Sequence, residues 1–276
     1  MGKKSFKQPQ LTVEELSIAL SQSKAELQKT NEKLRQTEKN RSELFANISH
    51  DLRSPLTALK STVEYMASMD TYDKAEMTHL IRVMSNRIQT LESLVNASYL
   101  LTTLENEAIP LQYEVLPIGS FLEEFFFSRL ADAKYDERRL ELDIPEIFEY
   151  PVRIEPERFE RVLDNLFTNA LKYSKTGAEI VLKAWKQEME IVIQVRDTGI
   201  GIPEQALERI FDRAYQVEQS RTPGINRGSG LGLAIVKVIL DRHHAKISCE
   251  SEVGKGSVFT VRLPVCSSDS EEVRNE

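Results

Sequence analysis

The stretch FANISHDLRSPL, residues 45–56, places a histidine beside an aspartate and a proline five residues later, inside an otherwise helical pattern. At about 100° per residue, the apolar side chains of this stretch share one helix face, whereas His50 lies about 200° from Ile48. Alone, His50 would be an ordinary surface residue. Asp51 follows it directly and could hold the imidazole in the tautomer that leaves one ring nitrogen nucleophilic. Ser54, four residues on, projects to the same side.

Pro55 sets a further condition on this helix. In a helix interior, a proline removes one hydrogen bond and costs about 3 kcal/mol or kinks the axis. We therefore predict a bend close to His50. Such a bend loosens the helix at the point where another domain has to reach the imidazole.

Two long amphipathic helices are predicted in the N-terminal part of the chain. From Leu16, residues alternately four and three apart form a heptad seam with several polar positions, which predicts a coiled coil over residues 1–40. A solvated helical linker is the alternative. A second apolar stripe follows the polar turn MDTYDK and ends near Leu104. The resulting hairpin, residues 41–106, leaves one apolar face open, and dimerisation into a four-helix bundle would close it.

Beyond ENEAIP the pattern becomes mixed α and β, so we place a domain boundary near residues 106–112 and a second domain over 112–264. KQE, after Trp185, suits a hairpin turn. Residues 265–276 read as an acidic tail. Five stretches are predicted as strands: RLELDI, AEIVLKAW, MEIVIQVR, KISCES and SVFTVRLP. Three are predicted as helices: 118–134, 157–173 and 230–243.

The composition limits the possible functions. The chain has 276 residues and a formal net charge of −7, which argues against a nucleic acid partner because phosphate neutralisation needs clustered cations. The two cysteines, Cys249 and Cys266, indicate neither a disulfide framework nor a zinc site. No apolar run approaches the roughly 20 residues that cross a bilayer. We therefore expect a cytoplasmic protein.

Three polar or glycine-rich segments could build a nucleotide site. DNLFTNALKYS, residues 164–174, puts carboxamide, amine and phenol groups near one side of a helix, and carboxamide oxygens ligate Mg²⁺. RDTGIGIP, residues 196–203, follows a strand, and its aspartate could accept from an exocyclic amine. GSGLGLAIVK, residues 228–237, has glycines where a helix begins and free N–H groups favour phosphate. Its GxGxG spacing is not the dinucleotide fingerprint. The candidate residues are Asn165, Asn169, Lys172, Tyr173, Asp197, Gly199, Gly201, Gly228, Gly230, Leu231, Gly232 and Leu233.

FANISHDLRSPLTAL resembles the H-box of the sensor histidine kinases of two-component signalling. The three nucleotide segments and GKGSVF, residues 254–259, resemble the N, G1, G2 and G3 boxes of the same family, in the same order, and IFDRAYQ resembles the F-box. The resemblance implies a dimeric helical hairpin followed by the α/β ATP-binding sandwich shared with gyrase and chaperone ATPases. It also implies His50 as phosphoacceptor and Asp51 as its activating acid. Asn169 is implied on Mg²⁺, Asp197 on adenine, and residues 212–228 as a mobile lid.

The implied activity is autophosphorylation of His50 by ATP, followed by transfer of the phosphoryl group to an aspartate on a response regulator's receiver domain. An upstream sensor or partner would act through the coiled coil, and the chain is either a separate cytoplasmic protein or the cytoplasmic part of a membrane-bound sensor. The alternatives are a degenerate kinase serving as scaffold or phosphatase, an ATP-driven clamp, and a nonenzymatic adaptor.

The chain departs from the family pattern at a few positions. Ser54 stands where Thr or Asn usually orients water for dephosphorylation of the regulator, although a serine hydroxyl can still bind water. Ala214 and Gln216 replace the usual Phe and Arg, and loss of that Arg would weaken stabilisation of the transferring phosphoryl group. HHAK replaces HGGK, which puts His244 at a helix terminus where glycine adopts a positive φ more readily.

Overall fold

A computed structural model describes residues 13–69, 73–105, 109–212, 215 and 230–266. It divides into two compact units, Met1–His50 and Asp51–Glu276. In the first unit the described residues are helical, and Leu20, Leu27 and Leu34 of the heptad seam are exposed. None of the helices within the described ranges is long and apolar enough to span a membrane.

The two long helices predicted from the sequence are confirmed as α1, Val13–Ala67, and α2, Lys74–Glu105. Pro55 lies inside α1, which continues as one helix beyond it; the bend stays a prediction. Across the hairpin, the Tyr65 hydroxyl donates to Glu76 Oε1 at 3.0 Å. Residues 70–72 of the connecting turn lie outside the described residues.

Beyond α2, the described residues from Glu114 to Pro264 contain seven strands and four helices. The strands are β1 (Glu114–Pro117), β2 (Arg139–Asp143), β3 (Pro151–Ile154), β4 (Glu179–Gln187), β5 (Glu190–Asp197), β6 (Lys246–Glu252) and β7 (Gly256–Pro264). The helices are α3 (Ile118–Leu130), α4 (Pro156–Tyr173), α5 (Glu204–Leu207) and α6 (Gly232–Arg242), and a 3-10 turn spans Ala133–Tyr135.

A five-stranded sheet in the order β2-β4-β5-β7-β6 forms the centre of this region. The β2–β4 pair is parallel and the other pairs are antiparallel. Successive side chains along a strand point to opposite faces of the sheet. The apolar side chains of one face pack with α3, α4 and α6 to form a core. The opposite face carries exposed charges such as Lys183 and Arg196. β1 and β3 form a separate antiparallel pair. The arrangement is the predicted α/β sandwich.

The structure also differs from the sequence prediction in places. The helix predicted over 118–134 ends at Leu130, because the Asp132 side chain accepts from the Lys134 N–H and starts the 3-10 turn. The predicted KQE turn is shifted, since β4 extends to Gln187 and Glu188 adopts a φ of 55°. β1, β3 and α5 were not predicted: each has four residues, too few to show a period.

α6 packs against the C-terminal part of α2, where Leu94, Leu101 and Leu104 are buried. The Arg242 guanidinium stabilises the packing of α6 on α2 by two hydrogen bonds. It donates to the Leu104 carbonyl at 2.9 Å and to the Ile109 carbonyl at 2.7 Å. Bonds from a cation to carbonyls near a helix C-terminus satisfy groups that have no partner within the helix. The end of α2 is thereby joined directly to α6.

The C-terminus of α6 confirms the expectation for His244. The His244 N–H bonds the Asp241 carbonyl, the Ala245 N–H bonds the Leu240 carbonyl, and His244 has a φ of 54°. This pattern is a Schellman motif, in which the residue after the cap takes the left-handed conformation. A histidine adopts that conformation at a higher cost than glycine.

His243, the preceding residue, is a buried histidine fixed by hydrogen bonds. It is 3% exposed; its Nε2 accepts from the Glu155 N–H at 2.9 Å, and its Nδ1 lies 2.7 Å from the Ile239 carbonyl. These bonds require the neutral tautomer with the proton on Nδ1. Burial lowers the pKa of His243, and the neighbouring Arg242 and His244 add to this effect.

We expect acid to destabilise the protein partly through His243. Because its pKa is lower when folded than when unfolded, the unfolded chain takes up the proton first as the pH falls below about 6.5, and the free energy of unfolding decreases. Thermal unfolding between about pH 7.5 and pH 5.5 should show a smaller decrease in Tm for His243→Gln than for the unaltered chain. His244→Asn, at an exposed neighbour, is the control. An equal decrease in all three proteins would contradict this role.

Candidate active site

The asparagine and glycine segments singled out in the sequence meet at one end of the sheet. The carbonyl of Tyr173, at the end of α4, accepts from the Ile200 N–H at 3.0 Å, in the loop that follows β5. The Gly254 N–H, between β6 and β7, donates to the Ile200 carbonyl at 2.8 Å. Three segments distant in sequence are therefore joined through backbone bonds.

Asp197 lies at the end of β5 and is 6% exposed. Its Oδ1 accepts from the Gly199 N–H at 2.8 Å, and the Ser257 N–H also bonds the carboxylate. Burial raises the pKa of Asp197, and these two backbone bonds oppose the increase. The Asp197 carboxylate is therefore a buried hydrogen-bond acceptor with a fixed orientation. Such an acceptor suits the exocyclic amine of a base.

Gly199 is required by the close approach of α4 to Asp197. A Cβ on Gly199 would lie 2.5 Å from the Tyr173 carbonyl oxygen and 2.6 Å from Asp197 Oδ1, closer than a side chain can approach. Any larger residue would push the loop away from α4. This is the physical reason for the first glycine of RDTGIGIP.

The polar face of α4 brings together the residues predicted for it. Asn165, Asn169, Lys172 and Tyr173 are half-buried, while the opposite face packs into the core. The Lys172 amine donates to the Tyr173 hydroxyl at 3.1 Å and lies 4.8 Å from the centre of that ring. Both side chains are thus held beside the end of α4, with a positive charge available to a phosphate.

The start of α6 lies against Asn165. The Asn165 amide donates to the Arg161 carbonyl at 2.8 Å, and its Oδ1 is 2.8 Å from the position that a Cβ would take at Gly232. Leu231, the N-cap, is buried and supplies no side-chain cap. Gly230 has a φ of 67°, and Leu233 is half-buried in the first turn. The N–H groups of this turn form the end of the helix that favours a phosphate.

Several predicted site residues cannot be placed in this arrangement. The backbone of His50 and Asp51 is helical, and Ser54 is exposed on α1. The side chains of His50 and Asp51 lie outside the described residues, as do Gly228, Ala214, Gln216 and most of the predicted lid.

Sequence reasoning missed two serines at this site, Ser251 on β6 and Ser257 on β7. Their hydroxyl oxygens lie 3.1 Å apart. Ser257 is buried and pairs with Asp197 across β5 and β7, and Ser251 is half-buried. Both flank the GKG turn in sequence. That is a weak signal, because serine is common beside turns.

Two family models match the chain. One, described as "Histidine kinase-, DNA gyrase B-, and HSP90-like ATPase", matches residues 154–267 and includes the whole of the arrangement around Asp197. The other, described as "His Kinase A (phospho-acceptor) domain", matches residues 40–107 and includes His50.

Similar proteins agree with these matches. Sensor protein SrrB of Staphylococcus aureus strain N315 is 32% identical over 226 residues, which cover 80% of this chain and 38% of SrrB. The chain thus spans less than half the length of this relative.

Among solved structures, the Acinetobacter baumannii histidine kinase AdeS matches with a TM-score of 0.62 at 23% identity, over 79% of this chain and 98% of AdeS. Histidine kinase ThkA, in complex with the response regulator protein TrrA, matches with a TM-score of 0.66 at 21% identity. The match covers 81% of this chain and 61% of the matched chain. The two solved structures show that the fold is shared. The two family models, together with SrrB, show that residues 40–107 and 154–267 are the phosphoacceptor and ATPase domains of the sensor histidine kinases of two-component systems.

Proposed function

We propose that the chain is an ATP-dependent protein histidine kinase that phosphorylates itself on His50 and passes the phosphoryl group to an aspartate of a response regulator. The observation that carries the proposal is the occurrence, in one chain, of a phosphoacceptor match that contains His50 and an ATPase match that contains the buried Asp197. A nitrogen of the imidazole attacks the γ-phosphorus, the bond to the bridging oxygen breaks, and ADP leaves with that oxygen's electron pair.

Each site residue has a proposed role. Asp197 accepts from the adenine amine, Lys172 and the N-terminus of α6 bind phosphate, and Asn165 orients the first turn of α6. Asp51 activates the imidazole of His50. The remaining candidate residues are proposed to shape the pocket. They are Tyr173, Gly199, Gly201, Gly228, Gly230, Leu231, Gly232 and Leu233.

A magnesium ion fits this site through Asn169. Among the described residues no cluster of three His, Cys, Asp or Glu side chains could hold a metal alone. Asn169 presents a half-buried carboxamide one turn from Asn165, and a single oxygen ligand of this kind suits Mg²⁺ that takes its other ligands from phosphates and water. The bound ion would neutralise charge on the transferring phosphoryl group.

A homodimer is supported by apolar side chains left exposed on the hairpin. Leu56 and Val63 on α1 are seven residues apart, as are Ile81, Ile88 and Val95 on α2, and all five are exposed. Seven-residue spacing is typical of helices that pack in a bundle. A second copy of the hairpin would bury both stripes.

The remaining partners are proposed from the family. The response regulator is proposed as the phosphoryl acceptor, an upstream sensor is proposed to act through residues 1–40, and the cytoplasm is proposed as the location. The domain limits 1–40, 41–106, 112–264 and 265–276 also stay predictions.

Transfer to a receiver domain tests this proposal. The chain is first labelled with γ-labelled ATP and Mg²⁺, then freed of nucleotide and mixed with a panel of purified receiver domains. We expect label to leave the chain and appear rapidly on one or a few of them, since transfer needs a matched surface as well as an acceptor aspartate. A receiver domain with its acceptor Asp→Asn is the control. If the chain binds ATP but acquires no label, the degenerate kinase, acting as scaffold or phosphatase, becomes the better description.

A further inference from the structure

The hydroxyl of Ser251 lies at the centre of a hydrogen-bond cluster behind the base-recognition carboxylate. Ser251 Oγ donates to the Gly256 carbonyl at 2.7 Å and accepts from the Ile202 N–H at 2.8 Å. The same oxygen lies 3.1 Å from the Ser257 Oγ. A hydroxyl has one proton and two lone pairs, so these three contacts use its whole capacity.

The cluster is connected to Asp197 from two directions. The Ser257 N–H bonds the Asp197 carboxylate, and Ser257 itself is 6% exposed. Ile202 belongs to the loop after β5 whose Gly199 N–H forms the other backbone bond to Asp197. Ser251 therefore contacts both backbone segments that orient the carboxylate, without contacting it.

The loop after β5 depends on such contacts for its position. Gly201 has a φ of 71°, and a Cβ there would collide with the Glu252 carbonyl of β6. The loop consequently lies backbone to backbone against the end of β6, where no side chain of its own can be inserted. Its attachment there consists of the Gly254 N–H bond to the Ile200 carbonyl and the Ile202 N–H bond to Ser251.

We propose that Ser251 is a positioning residue for base recognition: it holds the Ile202 loop and Ser257 so that the Asp197 carboxylate faces the exocyclic amine of adenine. This role rests on the proposed function, since it requires that the site bind an adenine nucleotide. Removal of the hydroxyl leaves the Ile202 N–H and the Gly256 carbonyl without their shared partner, and the loop relaxes away from β6. The loss should fall on recognition of the base more than on binding of the phosphates, which is assigned to Lys172 and the first turn of α6.

The test compares two nucleotides that differ at the recognised amine. ADP has the exocyclic amine, whereas IDP has a carbonyl oxygen in its place, which Asp197 cannot bind. Binding of each to the full chain with Mg²⁺ is measured by calorimetry for the unaltered protein, Ser251→Ala and Ser251→Thr. Ser248→Ala is the matched control, because Ser248 lies on the same strand but is exposed on the opposite face.

We expect the unaltered chain to prefer ADP, and Ser251→Ala to reduce that preference about tenfold, because an acceptor that is out of place no longer discriminates. Ser251→Thr keeps the oxygen and should restore the preference, and Ser248→Ala should leave it unchanged. Equal weakening of ADP and IDP by Ser251→Ala would show a merely structural role and overturn the inference, as would no change. Absence of ADP binding to the unaltered chain would instead overturn the proposed function, and this role of Ser251 with it.

Discussion

Asp197→Asn is expected to weaken ADP binding by at least about 100-fold while leaving the nucleotide-free protein at least as stable as the unaltered chain. A site built to accept from a base amine rejects its ligand strongly when the acceptor is lost. With the amide oxygen turned toward the N–H groups that bind Asp197 now, the amide nitrogen is a donor that would face the ligand's amine. The substitution is nearly isosteric and leaves no cavity.

The expected stability follows from the pKa of Asp197. Burial raises the pKa of this carboxyl group in the folded protein above its ordinary value, so the charged form costs free energy of folding at neutral pH. Asparagine removes this cost. As the pH falls through the folded pKa, the unaltered carboxyl group takes up a proton and the cost disappears, so any advantage in Tm of the variant should shrink in acid. Such a trade of stability for function is common in binding sites.

Calorimetric titration with ADP and thermal unfolding at neutral pH check both parts. Asp143→Asn is the matched control, because Asp143 is an exposed aspartate of β2 that pairs with Lys183. Tight ADP binding to Asp197→Asn would show that the base is recognised elsewhere. A large loss of Tm without nucleotide would show that Asp197 is a structural residue.

His50→Gln is expected to abolish phosphorylation of the chain, by about 1000-fold or more, with ADP binding retained. Glutamine is a good helix former, so the variant should keep α1. It offers no nucleophilic ring nitrogen. The measurement is the label that stays on the denatured chain after incubation with γ-labelled ATP.

The other three histidines make this a selective test. Both ring nitrogens of His243 are engaged in the core, whereas His79 and His244 are exposed. His79→Gln, on α2, is the matched control and should be labelled as the unaltered chain is. Label retained in His50→Gln but lost in His79→Gln would move the phosphoacceptor to α2.

The main elements of the fold could be predicted because their patterns are long and local. The stripes of α1 and α2 and the alternation in AEIVLKAW and MEIVIQVR each extend over enough residues to show their period. β1 and β3 could not be predicted in this way. They are four-residue strands that include prolines and depend on pairing with each other over a long stretch of chain.

Some residues of the candidate site could likewise be recognised from local sequence patterns, and others could not. Asp197 and the glycines beside it could be singled out as candidates because they occur in short contiguous segments. Ser251 and Ser257 could not, since their significance comes from hydrogen bonds that form only after β5, β6 and β7 have paired. Likewise, only the structure shows that Gly232 must be small because Asn165 faces it.

The central claim is that His50 carries a phosphoryl group taken from ATP. The most direct test incubates the purified chain with γ-labelled ATP and Mg²⁺, and then determines the acid and base stability of the label and the residue that bears it. Phosphohistidine predicts label that is lost in acid, survives in base and maps to His50. Label that survives acid, maps to another residue, or fails to form while ADP still binds would contradict the account.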